Sequence, residues 1–389
     1  MDRTRRDVIR NSALAATLFA FGRQLALAED TGKAAPTPAS KGGKSILVMG
    51  GTAFLGPEIV HAAQARGWTI TLFNRGKTNP GLFKDLEQIH GDRNVETDLD
   101  TLKDRTWDAV FDTSAYFPKQ VDALAARLAP HTGQYVFIST ISVFGDTSKP
   151  LDESGAVGKV DPQVAANVTS MKQVTGELYG PLKALCEAAA MKGFAGKATV
   201  IRPGLIVGPG DPSDRFTYWP VRFDRGGEVF APGTPDDPVQ LIDVRDLGDW
   251  AVRTAADGTL GLFNATGPKS TLGIGRMLDA CNKAAGKGAT ITWADVEFLA
   301  AQKVSAWSDM PVWVPPVDDT AGFAKIDCRK AIAKGLTFRS IDETAADTLK
   351  WWRTLPEERR AKTRAGITPE REKELLAAWH AAHPAPAAK

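Results

Sequence analysis

A glycine-rich turn that directly follows a short apolar run constrains this chain more than any other feature. Residues 45–49 read SILVM and continue without a break into GGTAFLG at 50–56. Pro57 suits the first turn of a helix, which we expect to run through Ala65, and a second apolar run follows at 69–73. This order of elements, a strand, a glycine-rich turn, a helix and a second strand, is typical of dinucleotide-binding folds. Backbone N–H groups at the start of the helix can then bind a pyrophosphate. The pattern favours a dinucleotide site over a merely structural turn.

The end of the second predicted strand bears on which dinucleotide would bind. An acidic residue at about this spacing would bond the ribose hydroxyls of NAD. The chain instead has Asn74, followed by Arg75. A guanidinium suits a 2′-phosphate, which favours NADP. The alternative is that Arg75 is a solvated charge or stacks on adenine, so NAD and NADP both stay open.

Four further apolar runs continue the alternation of strands and helices. We expect strands at 86–90, 107–111, 134–138 and 198–201, separated by helices such as 119–128. This alternation predicts an α/β fold with a doubly wound parallel sheet. Ligands bind beyond the carboxyl ends of the strands in such sheets. The residues at those ends include Asp92, Ser114, Ser139, Thr140 and Pro203.

A tyrosine and a lysine four residues apart supply candidate chemistry. Pro181 belongs near a helix start, and Gly193 would end that helix. Tyr179 and Lys183 then lie on one face, where an ammonium lowers the pKa of a neighbouring phenol. Such a tyrosine can exchange a proton with a substrate hydroxyl, and Thr140 can hold the same oxygen. A nicotinamide would accept or return the hydride on the adjacent carbon. The alternative is an ordinary surface pair on a helix.

Taken together, these motifs resemble an extended short-chain dehydrogenase/reductase of the NAD-dependent epimerase/dehydratase type. The resemblance covers roughly residues 45–352, and it implies a Rossmann-type sheet with a smaller substrate lobe. The chain is also similar to the branch that contains chloroplast stem-loop RNA-binding proteins and actinobacterial reductase-like proteins. The segments that carry the resemblance are GGTAFLG at 50–56, Gly91-Asp92, STISVFG at 139–145, YGPLK at 179–183, RPG at 202–204 and LIDVRDL at 241–247.

The resemblance also implies which residues act. Thr140, Tyr179 and Lys183 form the implied catalytic set. Two departures from the family pattern bear on the cofactor: Ala53 stands where the family has its middle glycine, and Asn74 replaces the ribose-binding acid. The candidate cofactor-binding residues are Gly50, Thr52, Phe54, Leu55, Gly56, Asn74, Arg75, Asp92, Arg93, Ser114, Tyr179, Lys183 and Pro203.

The N-terminal segment has the pattern of an export signal. A basic start with Arg5-Arg6, a short apolar stretch at 13–21 and an A-x-A end at 26–28 resemble a twin-arginine signal peptide over 1–28. The apolar stretch is too short for a membrane span, which needs about 20 residues. We therefore expect a periplasmic or secreted protein that meets the twin-arginine export machinery, without stable membrane insertion after cleavage. An amphipathic helix of a cytoplasmic protein is the alternative.

The rest of the chain divides into four segments. Residues 29–44 have no apolar residue larger than alanine, which predicts a flexible linker. A NAD(P)-binding domain is expected at 45–204, and a substrate lobe interleaved with it at 205–368. A C-terminal helix and tail follow at 369–389. Arg222, Gln240 and the aromatic run at 215–219 are candidate substrate contacts, although the aromatic side chains could equally pack the lobe.

Charge and cysteine content narrow the partners. The first 28 residues carry five arginines and two aspartates, so a chain of net charge +2 leaves a body of net charge −1. Such a body gives no support to a nucleic-acid partner.

The cysteines and histidines bear on disulfides and metals. We expect Cys186, Cys281 and Cys328 to be buried, and a disulfide between two of them remains an alternative. His380 and His383 lack the further ligands of a zinc site, so no metal is expected. The sequence leaves open whether the protein forms a homodimer.

Three functions are compatible with these patterns. The first is an epimerase-like enzyme on a sugar or polyol, in which Tyr179 deprotonates a carbinol and a tightly held NAD or NADP is regenerated within each cycle. Self-regeneration suits an exported enzyme, which would find little free NADPH. The second is a net oxidoreductase or dehydratase that uses NADP and the same catalytic set. The third is a non-catalytic nucleotide- or RNA-binding protein.

Overall fold

A parallel sheet of seven strands forms the centre of the larger lobe. The computed structural model describes residues 43–384, so the predicted export signal at 1–28 lies outside the described residues. The strands are β1 (Ser45–Met49), β2 (Thr69–Asn74), β3 (Glu87–His90), β4 (Trp107–Asp112), β5 (Thr132–Ile138), β6 (Ala198–Pro203), β7 (Leu205–Val207), β8 (Glu228–Pro232), β9 (Pro238–Asp243), β10 (Gly261–Ala265), β11 (Gly267–Gly273) and β12 (Thr290–Ala294). The large sheet has the order β3-β2-β1-β4-β5-β6-β10, and every neighbouring pair is parallel. The predicted α/β fold with a doubly wound parallel sheet is confirmed.

Helices alternate with these strands along the chain. They are α1 (Leu55–Gln64), α2 (Glu96–Leu99), α3 (Pro118–Leu128), α4 (Pro162–Asn167), α5 (Gly176–Gly193), α6 (Tyr218–Asp224), α7 (Val244–Ala256), α8 (Ile274–Ala285), α9 (Val296–Ala301), α10 (Arg329–Ala333), α11 (Ile341–Thr354), α12 (Glu357–Arg360) and α13 (Pro369–Ala382). The final helix, α13, begins at Pro369, the first residue of the predicted C-terminal segment. Its start is fixed by Thr368, whose side chain accepts a hydrogen bond from the backbone N–H of Arg371.

Both faces of the large sheet are covered by helices. Val48 of β1 packs on the face that α1 and α7 cover, together with Ile59 and Trp250. Its neighbour Leu47 packs on the opposite face, together with Leu124 from α3. Successive side chains of a strand point to opposite faces, and here both faces are buried. This burial explains why β1 reads as an uninterrupted apolar run rather than as an alternating one.

The smaller lobe has its own sheets and its own core. β7 and β9 pair in parallel with β11 antiparallel beside them, and β8 pairs in parallel with β12. Phe216, Trp219 and Phe230 lie in the buried core of this lobe. The segment 205–368 also returns α7 and β10 to the large sheet, because β10 pairs with β6. The chain between β6 and α11 therefore contributes to both lobes.

Two further observations concern the cysteines and the helices. Cys186, Cys281 and Cys328 are buried and free, which confirms that they serve as small core side chains. Within residues 43–384, none of the helices has both the length and the apolar character that crossing a bilayer requires.

Candidate active site at the carboxyl ends of the strands

The glycine-rich turn joins β1 to α1 in a conformation that side chains would obstruct. Gly50 has φ +92°, and a Cβ there would lie 2.9 Å from Oγ1 of Thr113. A Cβ on Gly56 would lie 2.6 Å from the carbonyl oxygen of Gly50. These contacts leave room for backbone only, so the turn presents its backbone at the start of α1, whose first residue is Leu55. Ala53 is half-buried.

A loop of the smaller lobe lies beside this turn. A Cβ on Gly210 would lie 3.7 Å from the ring of Phe54. On the other side, the carbonyl oxygen of Thr52 accepts a hydrogen bond of 2.9 Å from the side chain of Asn79. The turn is therefore held between the segment that follows β2 and the loop that follows β7.

The ends of β2 and β3 carry the residues predicted to select the nucleotide. Asn74 Oδ1 accepts a 2.7 Å hydrogen bond from the N–H of Gly76, and its Nδ2 donates to Gln88 at 3.2 Å. Arg75 is exposed. Asp92 Oδ1 accepts from the backbone N–H and the side chain of Asn94 at 2.9 and 2.8 Å. Of these residues, Arg75 has the side chain that is most free to meet a ligand.

Arg93 is placed differently from what the sequence suggests. Its guanidinium is buried and forms two hydrogen bonds with the carboxylate of Asp112, at 2.6 and 2.8 Å. It also donates to Oγ of Ser114 at 2.9 Å. Burial alone would raise the pKa of Asp112, but the charge and hydrogen bonds of Arg93 hold that pKa below its ordinary value. Arg93 therefore fixes the end of β4 and the side chain of Ser114.

Lys183, the third member of the implied catalytic set, is buried. Its Nζ donates to the carbonyl oxygens of Ile138 and Ala115, at 2.6 and 2.8 Å. It also lies 4.2 Å from the ring centroid of Phe137. Burial lowers the pKa of Lys183 to about 8. The ammonium therefore ties together the ends of β4 and β5.

Tyr179 and Thr140 meet because two backbone segments approach closely. Gly180 permits this contact, since a Cβ there would overlap the carbonyl oxygen of Ser142. The helix starts at Gly176, ahead of Pro181, because Thr175 caps it through the N–H of Leu178.

The pKa of the tyrosine departs from the expectation drawn from sequence. Burial raises the pKa of Tyr179 above its ordinary value, against the lowering effects of a hydrogen bond with Thr140 and of the charge of Arg215. We expected Lys183 to lower this pKa, but its ammonium is engaged by backbone carbonyls. The cation that acts on the phenol in this structure is Arg215.

This arrangement of turn, strand ends and hydroxyl pair has a counterpart in a known family. A model of the NAD dependent epimerase/dehydratase family matches residues 46–264. The chain belongs to that family. The match includes the glycine turn, Thr140, Tyr179 and Lys183.

Individual relatives are distant. The chain is 26% identical over 266 residues to the chloroplast stem-loop binding protein of 41 kDa b of Arabidopsis thaliana, across 62% of this chain and 64% of that protein. It therefore spans a little under two thirds of that relative. It is also 26% identical over 263 residues to the epimerase family protein SDR39U1 of Bos taurus, across 63% of this chain and 82% of that protein.

Solved structures share the fold. The UDP-N-acetylglucosamine 4-epimerase from Bacillus cereus superposes with a TM-score of 0.58 at 17% identity, over 81% of this chain and 98% of that one. At this identity the likeness concerns the architecture.

The residues of this chain fit the NAD-type dinucleotide of the family. Gly50, Gly51 and Gly56 each lack space for a Cβ, which is the property a turn needs if its backbone is to approach a pyrophosphate. Ser114, held by Arg93, lies against the same turn, since a Cβ on Gly50 would be 3.2 Å from its own Cβ. The residues that would hold the dinucleotide are therefore the turn, Arg75 and Asp92, and the end of β4.

Several polar residues named from sequence are engaged in structural contacts. Ser139 donates to Glu187 at 2.6 Å, and Glu187 pairs with Arg202 at 2.6 Å, so these three residues brace the buried Pro203 end of β6. Arg222 pairs with Glu372, while Gln240 donates to the carbonyl oxygen of Ile326 at 3.0 Å. Neither Arg222 nor Gln240 is available to a substrate in this arrangement.

The aromatic run at 215–219 also serves the core. Phe216, Tyr218 and Trp219 are buried in the smaller lobe, so the packing alternative accounts for them rather than stacking on a sugar. His380 is also engaged, through a 2.8 Å contact with Glu228.

Two charged residues of the smaller lobe have roles that the sequence did not indicate: Arg215, named only as part of the aromatic run, and Asp211. Arg215 acts on Tyr179 through its charge and lies over the ring of Trp307, at 5.3 Å from the centroid. Asp211 is buried directly after Gly210, the loop glycine that lies beside Phe54, and its Oδ2 lacks a hydrogen-bond partner among residues 43–384. The sequence signal that could have revealed them is the polar run DPSDR at 211–215, directly after a glycine-rich loop.

A separate cavity lies away from these residues. It has a volume of about 600 Å³ and is lined by Leu241, Pro268 and Phe338, among others. None of the candidate catalytic or cofactor residues lines it. The candidate active site is therefore defined by its side-chain chemistry and by its place at the sheet edge.

Proposed function

We propose that the protein is an NAD(P)-dependent, epimerase-like enzyme that acts on a carbinol of a sugar or polyol and retains its cofactor through each cycle. The supporting observation is the meeting of Thr140 and Tyr179 beyond the carboxyl end of β5, with the glycine turn at the same edge of the sheet, after β1, which is separated from β5 by β4 alone. The family supplies the reaction class, and the sugar-nucleotide epimerase that shares the fold supports a carbohydrate substrate.

The chain's own residues account for proton movement. The raised pKa of Tyr179 means that the phenol carries its proton near neutral pH and can donate it to a substrate oxygen. Thr140 can hold the same oxygen, because a hydroxyl both donates and accepts. For the reverse step the phenol must lose its proton, and the charge of Arg215 favours that form. A bound nicotinamide supplies the hydride acceptor.

Lys183 has a positioning role in this proposal. Its ammonium bridges the carbonyl oxygens of Ala115 and Ile138, which belong to the segments that carry Ser114 and Thr140. The bridge sets the spacing between the nucleotide side and the hydroxyl side of the crevice. The ammonium has three N–H donors, and the two carbonyl oxygens accept from two of them. The third could donate to the ribose of a bound dinucleotide.

The decisive experiment is an analysis of the purified full chain. Protein is dialysed exhaustively and then denatured, and the released nicotinamide is quantified by absorbance and chromatography. Retention close to one dinucleotide per chain, with interconversion of sugar epimers and no added cofactor, is the expected result. A protein that neither retains nor binds NAD or NADP would overturn the proposal.

A net NADP-dependent oxidoreductase is the second candidate, and one observation favours it. Arg75 is exposed at the end of β2, where it can meet a 2′-phosphate. Turnover that requires stoichiometric added NADPH would select this candidate over the self-regenerating one.

RNA binding, suggested by the name of the Arabidopsis relative, is not favoured. The body of net charge −1 offers little of the basic surface that phosphate binding depends on. Filter binding to a stem-loop RNA across a salt series would reveal it through a steep loss of affinity with salt.

We also propose export to the periplasm or beyond, on the pattern of residues 1–28 alone. Replacing both Arg5 and Arg6 by lysine should retain the full-length precursor inside the cell. Fractionation of a tagged chain measures this, and an unchanged distribution would contradict export by the twin-arginine route.

A further inference from the structure

Arg215 differs from the other arginines in the part of the chain that the structure describes. Every other arginine of residues 43–384 that is buried or half-buried lies at ion-pair distance from a carboxylate, as Arg93 does with Asp112. Arg215 is half-buried and has no carboxylate at ion-pair distance within that range, although the charge of Asp211 acts on it from farther away. Removing a guanidinium from water is costly unless another group compensates it. The exception therefore leaves a guanidinium that an anionic partner from outside the chain could still bind.

The guanidinium is fixed in orientation although it is unpaired. Its Nε donates to Oγ of Ser213 at 3.1 Å, and its plane lies over the ring of Trp307, with the central carbon 5.3 Å from the ring centroid. Among residues 43–384 its two terminal nitrogens have no hydrogen-bond acceptor. A planar, preoriented fork of this kind is the geometry with which arginine binds carboxylate or phosphate.

Two neighbouring groups are also left without partners. Trp307 is 9% exposed and Asp211 is 2% exposed. The indole N–H of Trp307 and Oδ2 of Asp211 are buried, and neither has a hydrogen-bond partner in residues 43–384. Oδ1 of Asp211 is satisfied by the N–H and the hydroxyl of Ser213, at 2.8 and 2.7 Å. Buried polar groups are nearly always hydrogen-bonded, so one donor and one acceptor beside Arg215 are free to bind a ligand.

The backbone at Trp307 has an unusual conformation. Its φ is +67°, a left-handed conformation that is uncommon for a bulky residue. The strain is held by its N–H, which donates to the carbonyl oxygens of Met310 and Trp313 at 3.1 and 3.0 Å. Strained backbone of this kind concentrates where a side chain must be held in place for function.

These groups belong to the active site rather than to a distant surface. The charge of Arg215 acts on the phenol of Tyr179. The loop that leads to Asp211 contacts the glycine turn through Gly210 and Phe54. A ligand oxygen bound by Arg215 would therefore lie near the carbinol that Tyr179 and Thr140 contact.

We propose that Arg215 binds an anionic oxygen group of the substrate, a carboxylate or a phosphate close to the reacting carbinol, while Asp211 accepts a hydrogen bond from a substrate hydroxyl. The inference rests on the proposed function and makes it more specific: the substrate is an acidic sugar or polyol derivative. Trp307 is a positioning residue, because its ring supports the guanidinium.

The test measures binding separately from turnover. Calorimetry on the full chain, loaded with NAD, compares D-galactose with D-galacturonate and D-galactose 1-phosphate, and D-glucose with D-glucuronate and D-glucose 6-phosphate. At least one anionic member is expected to bind at least tenfold more tightly than its neutral parent. The uronate and phosphate arms distinguish the two anion sources. Equal or weaker binding of every anionic member would overturn the proposal.

Variants then assign the effect to the residue. Arg215→Met should weaken the anionic ligand about 10- to 100-fold and leave its neutral parent unchanged, because a charge-assisted hydrogen bond is lost. Arg215→Lys should retain part of the preference. Arg360→Met, which removes an exposed arginine of the same lobe, is the matched control and should change neither affinity. A preference that survives in Arg215→Met would contradict the assignment.

Failure of the proposed function would look different. Tyr179→Phe should keep the anionic preference, since that variant removes only the proton donor. A chain that prefers anionic ligands yet shows no turnover would retain the binding role of Arg215 and remove the enzymatic one. Urea unfolding of Arg215→Met, compared with the parent chain, excludes loss of fold as the cause.

Discussion

The ammonium of Lys183 donates a 2.6 Å hydrogen bond to the carbonyl oxygen of Ile138, the last residue of β5. A second carbonyl, that of Ala115, accepts from the same nitrogen at 2.8 Å. No carboxylate forms an ion pair with this ammonium among residues 43–384. Burial therefore dominates its titration and lowers the pKa of Lys183 to about 8.

This pairing predicts how stability depends on pH. Between pH 8 and 10.5 the unfolded chain holds the proton of Lys183 and the folded chain releases it, so the free energy of unfolding rises with pH in this window. Relative to Lys183→Met, the parent chain should gain on the order of 2 kcal/mol between pH 7 and 9.5. Urea unfolding of both chains at the two pH values measures the difference. If the difference in unfolding free energy between the parent chain and Lys183→Met is the same at both pH values, the amine is not buried in its charged form.

The ion pair of Arg93 and Asp112 should be among the largest single contributions to the stability of the larger lobe. Asp112→Asn keeps the shape but leaves a buried guanidinium without its counter-charge, so we expect a loss of about 3 kcal/mol. Glu87→Gln removes one partner of an exposed pair with Arg105 and should cost less than about 1 kcal/mol. Denaturant midpoints compare the two variants, and equal losses would contradict the buried role.

Tyr179→Phe should lower turnover about a hundredfold to ten-thousandfold, because the proton donor to the substrate oxygen is removed. Dinucleotide affinity should stay within about twofold, since the phenyl ring remains. Tyr116→Phe removes a hydroxyl from the neighbouring ring, whose centroid lies 6.3 Å away, and serves as the matched control. Single-turnover rates and calorimetry with NAD separate the two effects. Full activity in Tyr179→Phe would exclude it as the proton donor.

Arg75 should set the preference between the two dinucleotides. Arg75→Gln is expected to weaken NADP about tenfold and to leave NAD nearly unchanged, because only NADP carries the 2′-phosphate. Lys77→Gln removes a neighbouring exposed charge and controls for general attraction of anions. Fluorescence titration with NADPH and NADH gives both affinities. A similar loss for both nucleotides would assign Arg75 to adenine stacking or to the pyrophosphate instead.

The large sheet could be predicted from the sequence because its strands are buried on both faces. A strand buried in this way has a continuous apolar sequence, and β1 is the clearest example. The glycine turn could be predicted for a related reason, since its spacing is local. β10 was not predicted: it reads GLFNA, too short and mixed a run to signal a strand that returns to the sheet.

The contacts made by the site side chains could not be read in the same way. Arg93 and Lys183 are recognisable as polar residues near strand ends, but their partners are set by folding. Arg93 pairs across 19 positions, and Lys183 reaches the carbonyl oxygen of Ala115 across 68. A local sequence pattern cannot indicate contacts between residues so far apart in the chain. The same reason hid Arg215, whose importance lies in the absence of a partner and becomes visible only once its surroundings are known.

The pairing of Glu372 with Arg222 bears on the order in which the molecule assembles during synthesis. The two residues lie 150 positions apart, and Glu372 also accepts from the backbone N–H of Phe230 at 3.1 Å. Until the last helix leaves the ribosome, the guanidinium of Arg222 has no counter-charge, whereas strands β1 to β6 are already complete. Translation should therefore finish the nucleotide half well before the other half can close, and a stalled or shortened chain would expose that unfinished half to proteases.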